Sequence, residues 1–428
     1  MRSTVCVVGG GPGGMMLALL LARRGVPVTL LEAHADFERE FRGDTLHPII
    51  LEVLDQIGLA DRLHALPHVK WFGPSLVTDD GLVTLADFRR LRTKFPYIML
   101  VPQERFLEVL AAEAARYPNF TLTMRARVDA LIEEDGAVRG VRYRDATGAM
   151  QEIRADLTIG ADGRFSKVRQ LAGFEPVPLS DPMELLWFRL PRRAEDASLF
   201  DLDTAAGAAR PFAIMRGERG RPAVLVHRGD GFILGVIDRV DHWQVAYIFQ
   251  SGSYQELKAA GITALTQSIA ARVPRLSPHL AALTDWRQLS PLSVAFSRCA
   301  RWYKPGLLLI GDAAHVMTPA AGAGIKYAIE DAVEAANLLA RPLLEKRVDV
   351  ELLAKVQRRR EWPTRMIQTI AAFNQANVLM PALAPGAARD GGAPRLPLLA
   401  RLFLNTPGLR NLPARFIAVG IRRVRVEE

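Results

Sequence analysis

Apolar and polar positions recur along this chain with two different periods, and each predicts its own kind of element. The apolar run Thr4–Val8 reads as a buried strand, Gly9 to Gly14 as a turn, Met15–Arg24 as a helix and Pro27–Leu31 as a second strand. Strand, glycine turn, helix and strand in this order begin a parallel sheet. Gly25 after Arg23 and Arg24 suits a helix stop, because glycine reaches the left-handed conformation cheaply and basic side chains favour a helix C-terminus. Helical periodicity returns over 103–116, and alternation around 120–124, 138–143 and 153–159 predicts strands. From about 176 to 284 the character changes: Glu184–Leu190, Ala223–Val226, Gly231–Ile237 and Trp243–Ile248 read as strands and Tyr254–Val273 as a helix, which together predict a second, sheet-based domain. A buried strand after Gly306 and a helix over Ile325–Ala340, apolar at 325, 328, 329, 332, 333, 336 and 339, return the chain to the first domain. Beyond 346 the pattern is helical, with Pro363 expected to limit one helix and a Pro/Gly/Ala-rich loop at 381–397.

Composition narrows the class without changing this outline. A chain of 428 residues, 49% hydrophobic and 24% charged, has room for two domains and a large core. Arg23, Arg24 and Glu32 interrupt the first apolar stretch, so it is too short to span a membrane, and with no basic preamble it does not read as a signal peptide. The expectation is a soluble cytoplasmic protein. Cys6 and Cys299 are too far apart in sequence for a metal motif. The formal charge of +9 is concentrated toward the end, where six Arg less two Glu in 401–428 leave +4. That reads as solvated helix charge, which also allows weak association with a membrane surface; nucleic acid is not expected as a partner, and the oligomeric state, monomer or dimer, is left open.

The strongest chemical signal is Gly9-x-Gly11-Pro12-Gly13-Gly14 between strand and helix, with Glu32 ending the next strand. Glycines permit a tight turn and close approach of a pyrophosphate, the helix N-terminus favours its charge, and Glu32 can accept ribose hydroxyls. An acid at 32 disfavours a 2′-phosphate, so FAD or NAD fits better than NADP.

Two further motifs choose between them. Ile159-Gly-Ala-Asp162-Gly163-Arg-Phe-Ser166-Lys-Val-Arg169 resembles the Asp-Gly fingerprint of the FAD-dependent aromatic-ring hydroxylases related to p-hydroxybenzoate hydroxylase, the group A flavoprotein monooxygenases. Leu309-Ile-Gly311-Asp312-Ala-Ala-His315-x-x-x-Pro319-x-x-Gly322-x-Gly324 resembles their Gly-Asp flavin motif. The resemblance implies an α/β fold: a Rossmann-like FAD-binding domain of glutathione-reductase type, an inserted α+β substrate domain on an antiparallel or mixed sheet, and a helical C-terminus. The expected division is 1–73, 97–175 and 285–345 for FAD, 74–96 and 176–284 for substrate, and 346–428 for the C-terminal helices.

The resemblance also implies roles. Arg42, in the crossover after the second strand, would reach the FAD pyrophosphate; Gln103 would lie near the adenosine and ribityl atoms; Asp162 would support the ribose. On its own chemistry Asp312, ending a buried strand, can accept ribityl hydroxyls or cap the following turn, while Gly322 and Gly324 let backbone close on a flat ring. The helix starting near Ile325 would aim its positive end at the flavin N1/O2 edge. Family members commonly carry Asn where this chain has Lys326, which either places a cation near flavin O2 or faces solvent. Pro319 would stiffen the loop facing the reacting ring, and His47 and His315 are expected to be structural, so no dedicated acid or base is assigned.

No second glycine-rich nucleotide unit is present in the sequence, so NAD(P)H would dock transiently, and the resemblance implies reaction of the reduced flavin with O2 through a C4a-hydroperoxyflavin. The expected substrate is a phenolic, polyketide or quinone-like molecule beneath the second sheet, beside Leu186–Arg189, Val245–Phe249 and the 319–321 loop. A halogenase is disfavoured by the missing Trp-x-Trp pattern; an isoprenoid-lipid reductase and a non-catalytic flavin-binding protein are the alternatives.

Overall fold

The computed structural model describes residues 2–38, 44–79, 81–193, 210–239, 241–317, 322–384, 386, 404, 406 and 409–427. Its first sheet has the strand order Tyr303–Lys304, Leu307–Leu309, Met150–Gly160, Arg2–Val8, Val28–Leu31, Phe120–Thr123, with parallel pairing from Leu307–Leu309 onward. A hairpin of Arg127–Glu134 and Ala137–Arg144 adds antiparallel to Met150–Gly160. Both faces of this sheet are covered. Val5 and Val7 join the core under the helices Pro12–Arg23 and Gly324–Leu344, while Cys6 and Val8 join a second core with Val141, Trp302 and Leu309. Burial on both sides is why these strands read as continuous apolar runs.

The second sheet is antiparallel throughout, in the order Ser290–Val294, Met183–Pro191, His242–Phe249, Phe232–Arg239, Pro222–Arg228, Ala213–Arg216, Pro74–Thr78, Gly81–Thr84. One face packs on the helix Tyr254–Arg272: Leu186, Phe188, Leu225, Phe232, Leu234, Val236, Val245, Tyr247 and Phe249 meet Leu265 and Ile269 there. Side chains alternate along a strand, so their neighbours Trp187, Val226, Gly235, Ile237, Ala246 and Ile248 occupy the opposite face.

The helix Val350–Asn374 runs through Pro363 instead of ending there. Proline in a helix interior forfeits one backbone hydrogen bond at about 3 kcal/mol; here burial of Pro363, Thr364 and Arg360 against the Gly324–Leu344 helix offsets that cost. Arg410, Arg415, Arg422, Arg423 and Arg425 are exposed, as the sequence suggests, but the segment that carries them is anchored. Val424 is buried in the first core, Arg423 pairs with Glu52, and Asn337 Nδ2 donates to Arg425 O at 2.7 Å. Among the described residues no helix is long and apolar enough to cross a membrane.

Candidate flavin site

Three adjacent parallel strands, Leu307–Leu309, Met150–Gly160 and Arg2–Val8, end side by side, and each opens into one of the sequence motifs. Residues distant in sequence therefore share one sheet edge. Gly9, at φ +106°, could not carry a side chain, because its Cβ would lie 2.5 Å from Ala161 O; a Cβ on Gly14 would lie 2.0 Å from Gly9 O. Gly13 lets the first helix approach Ala328 of the Gly324–Leu344 helix. Gly11 differs: its Cβ would meet no atom within 4 Å. It is the N-cap of a helix with proline in its first turn and no side-chain cap, so no capping side chain occupies the first-turn amides. An open, positively polarised helix end lined by glycine fits a dinucleotide pyrophosphate.

Glu32 sits against this loop. Its Oε2 accepts from Gly10 N at 2.8 Å, and its Oε1 from His34 N at 3.0 Å. His34 Nδ1 also lies 2.5 Å from Oε1, so the loop holds the carboxylate in place at the end of the second strand.

Asp162 is turned inward. Its carboxylate accepts from Ser166 Oγ at 2.5 Å and Val168 N at 3.0 Å, and burial raises its pKa against those hydrogen bonds. Arg169 donates to Arg164 O at 2.7 Å and Ala313 O at 3.1 Å, which joins the Asp-Gly loop to the Gly-Asp turn.

At that turn Gly311 has φ +59°, and its N–H donates to Asp331 Oδ2 at 3.0 Å. Asp312 is half-buried, and a Cβ on Gly324 would lie 3.9 Å from its Oδ1, so the carboxylate and the start of the Gly324–Leu344 helix face each other closely. Gly322, φ +57°, accepts from Thr45 Oγ1 through its carbonyl at 2.8 Å. Ile325 is buried beside it. Gln103 is half-buried and opens its helix, but the cap position falls on Pro102. Arg42 and Pro319 lie outside the described residues.

Lys326 is only 2% exposed, which removes the solvent-facing alternative. Its Nζ lies 3.7 Å from Glu330 Oε1 and 4.9 Å from the Tyr327 ring centroid, and a Cβ on Gly420 would touch it at 2.6 Å. The ammonium is thus directed into an ionic cluster beneath the C-terminal segment. Burial lowers its pKa, with Glu330 opposing.

The cluster itself was not anticipated. Arg360 Nη2 reaches Glu330 Oε2 at 2.6 Å and its Nε reaches Asp331 Oδ1 at 2.8 Å, while His315 Nε2 lies 2.6 Å from Asp331 Oδ2. Burial alone would raise the Asp331 pKa, but His315 and Arg360 bring it below the ordinary carboxylate range. A double acid, Glu330-Asp331, inside an apolar helical stripe is the sequence signal for such a pairing; the Arg358–Arg360 run does not reveal which arginine answers it. His315 is therefore engaged with Asp331. His47 is buried, and burial together with the Lys326 cation holds its pKa down to about 3, so it stays neutral near pH 7.

The model of a family described as "FAD binding domain" matches residues 2–370. Over 428 aligned residues the chain is 31% identical to 6-methylpretetramide 4-monooxygenase of Streptomyces rimosus, covering 99% of this chain and 94% of that protein. The solved structure of p-nitrophenol 4-monooxygenase from Pseudomonas putida aligns with TM-score 0.74 at 21% identity over 99% of both chains. That of anhydrotetracycline hydroxylase from Streptomyces rimosus aligns with TM-score 0.72 at 23% identity, covering 100% of this chain and 78% of the other. With the glycine cradle, the Asp-Gly loop and the Gly-Asp turn on one sheet edge, the chain belongs to the FAD-binding-domain family of FAD-dependent monooxygenases.

Proposed function

We propose that this protein hydroxylates a phenolic or aromatic polyketide molecule with NAD(P)H and O2. The observation that carries the reading is a junction. Arg239, on the face of the large sheet turned away from its helix, ion-pairs with Asp44, and the next residue, Thr45, holds the Gly322 carbonyl of the flavin loop. A sheet face whose apolar residues lie outside the helix-packed core thus meets the turn that would hold the flavin.

The amides of the Gly9–Gly14 turn, with Arg42, would bind the pyrophosphate, and Glu32 would bind the adenosine ribose. Asp312 would accept ribityl hydroxyls, with Gln103 nearby. The amides of Gly324, Ile325 and Lys326, at a helix N-terminus, would stabilise negative charge on the ring's O2 edge. Pro319 would face the ring and the substrate. Asp162 and Gly311, committed to their own loops, would shape the site rather than contact the cofactor. The chemistry FAD supplies when bound is hydride acceptance from NAD(P)H and activation of O2. For their part the side chains orient the substrate and exclude water, with no acid or base required of them.

The similarity to 6-methylpretetramide 4-monooxygenase supports a polyketide substrate. The test is anaerobic reduction of the FAD-loaded protein by NADH and by NADPH, with and without an aromatic panel, followed by O2 and mass analysis. Substrate-stimulated reduction and a product heavier by one oxygen atom are expected. FAD-loaded protein that neither nucleotide reduces, whatever the aromatic, would contradict the hydroxylase reading.

A further inference from the structure

The large sheet's open face has a shape of its own. One cross-strand row on it runs Trp187, Ala246, Gly235, Val226, Ala213, Leu76, each residue paired with the next across five adjacent strand pairs. Three of its four middle members are Gly or Ala, the fourth being Val226. The row on one side reads Gln244, Ile237, Val224, Met215, and the row on the other includes Leu185, Ile248 and Ile233. Ala246, Gly235 and Ala213, set between rows that carry Ile, Leu, Met and Gln, make a trough across the strands that is shallowest at Val226 and ends at Trp187 on one side and Leu76 on the other.

Three features show that the trough is not simply core. Its apolar members lie outside the cluster that packs on the Tyr254–Arg272 helix, and Trp187, Val226, Ala213 and Leu76 stay half-buried. A Cβ added to Gly235 would find nothing closer than Ala246 Cβ at 3.6 Å, so the glycine answers no backbone need. Arg239 stands on this same face and reaches Asp44, so the trough opens toward the flavin loop.

We infer that this trough is the floor on which a flat, several-ring aromatic substrate lies, and that Gly235 and Ala246 set its depth. From Ala246 to Ala213 it crosses three strand spacings, about 14 Å at roughly 4.8 Å each. That length suits fused rings in a line and leaves most of the floor unused by a single ring. The inference rests on the hydroxylase reading and adds the size class of its substrate and the residues that select it.

The probes are anhydrotetracycline, with four rings, and p-nitrophenol, with one. Each is titrated into FAD-loaded wild type, Gly235→Ala and Gly235→Val while the flavin absorbance is followed. Valine suits a strand, and a Cβ here makes only ordinary contact with Ala246, so flavin content should be unchanged. The expected result is graded: anhydrotetracycline affinity falls at least tenfold in Gly235→Val and less in Gly235→Ala, whereas p-nitrophenol changes less than twofold. Equal loss for both ligands, or undiminished anhydrotetracycline binding, overturns the inference. So does wild type that binds only p-nitrophenol, which would leave the hydroxylase reading standing. Failure of that reading shows separately, as flavin that no nucleotide reduces.

Discussion

The two eight-stranded sheets are built from similar apolar residues and used in opposite ways. In the parallel sheet both faces are packed: Val5, Cys6 and Val7 are fully buried and Val8 nearly so. Nothing can bind on such a face, so the chemistry moves to the strand ends, where glycines and helix N-termini expose backbone amides. In the antiparallel sheet one face packs on a helix to form a core, and the apolar residues of the other lie outside that cluster. Phe232, Leu234 and Val236 go to the core, while on the other face Gly235 and Ile237 remain half-buried and Ile233 is buried outside that core. The first sheet offers an edge to a phosphate; the second offers a face to a ring.

The contrast can be broken hardest at the edge. Asp331→Ala leaves the fully buried Arg360 guanidinium with one carboxylate fewer and takes the acceptor from Gly311 N–H. A loss of about 3–5 kcal/mol in denaturant unfolding is expected, as for a buried pair deprived of one partner, together with weaker FAD retention. A loss below 1 kcal/mol would mean that the cluster does not hold the turn.

The packed face gives a pH-dependent counterpart. Burial, reinforced by Arg272, holds the His227 pKa down to about 4 from an ordinary 6.5. Between those values the unfolded chain binds a proton that the folded chain refuses, so stability falls as pH drops from 6.5 toward 4. His227→Leu removes this penalty. Relative to wild type it should gain about 2 kcal/mol between pH 8 and pH 5, read from denaturant midpoints, and a pH-independent difference would refute the assignment.

A smaller effect separates loop alignment from direct contact. Arg169→Met unties the Asp-Gly loop from the Gly-Asp turn, whose carbonyls it holds. The FAD dissociation constant should rise several-fold, with the binding stoichiometry unchanged. A complete loss of binding would instead place Arg169 in contact with the cofactor.

These differences also explain what could be read in advance. The edge was legible because each motif is local: Gly9, Gly11 and Gly14 occupy one turn, and Gly311-Asp312 another, with backbone geometry setting the residue type. The face was legible only in its alternation. Leu186–Arg189 and Val245–Phe249 were expected to line the substrate together, yet Leu186, Phe188, Val245, Tyr247 and Phe249 pack on the helix, leaving Trp187, Arg189, Ala246 and Ile248 opposite. Alternation separates two faces without saying which one the helix covers. Lys326 was ambiguous for a related reason, since Arg360 and Gly420, which surround it with Glu330, lie far along the chain. Pro363 misled because a local rule yielded to tertiary packing.

The central claim is that the glycine turn and the two loops beside it form a cradle for FAD, and Gly11→Val tests it most directly. A Cβ there meets no protein atom within 4 Å, and the backbone is extended, at φ −72° and ψ 179°, so the fold should be untouched while the cradle is filled. In an FAD titration followed by flavin fluorescence, the variant should keep the apoprotein melting temperature and lose at least about 100-fold in affinity, close to 3 kcal/mol. Gly11→Val protein that binds FAD as tightly as wild type would contradict the account.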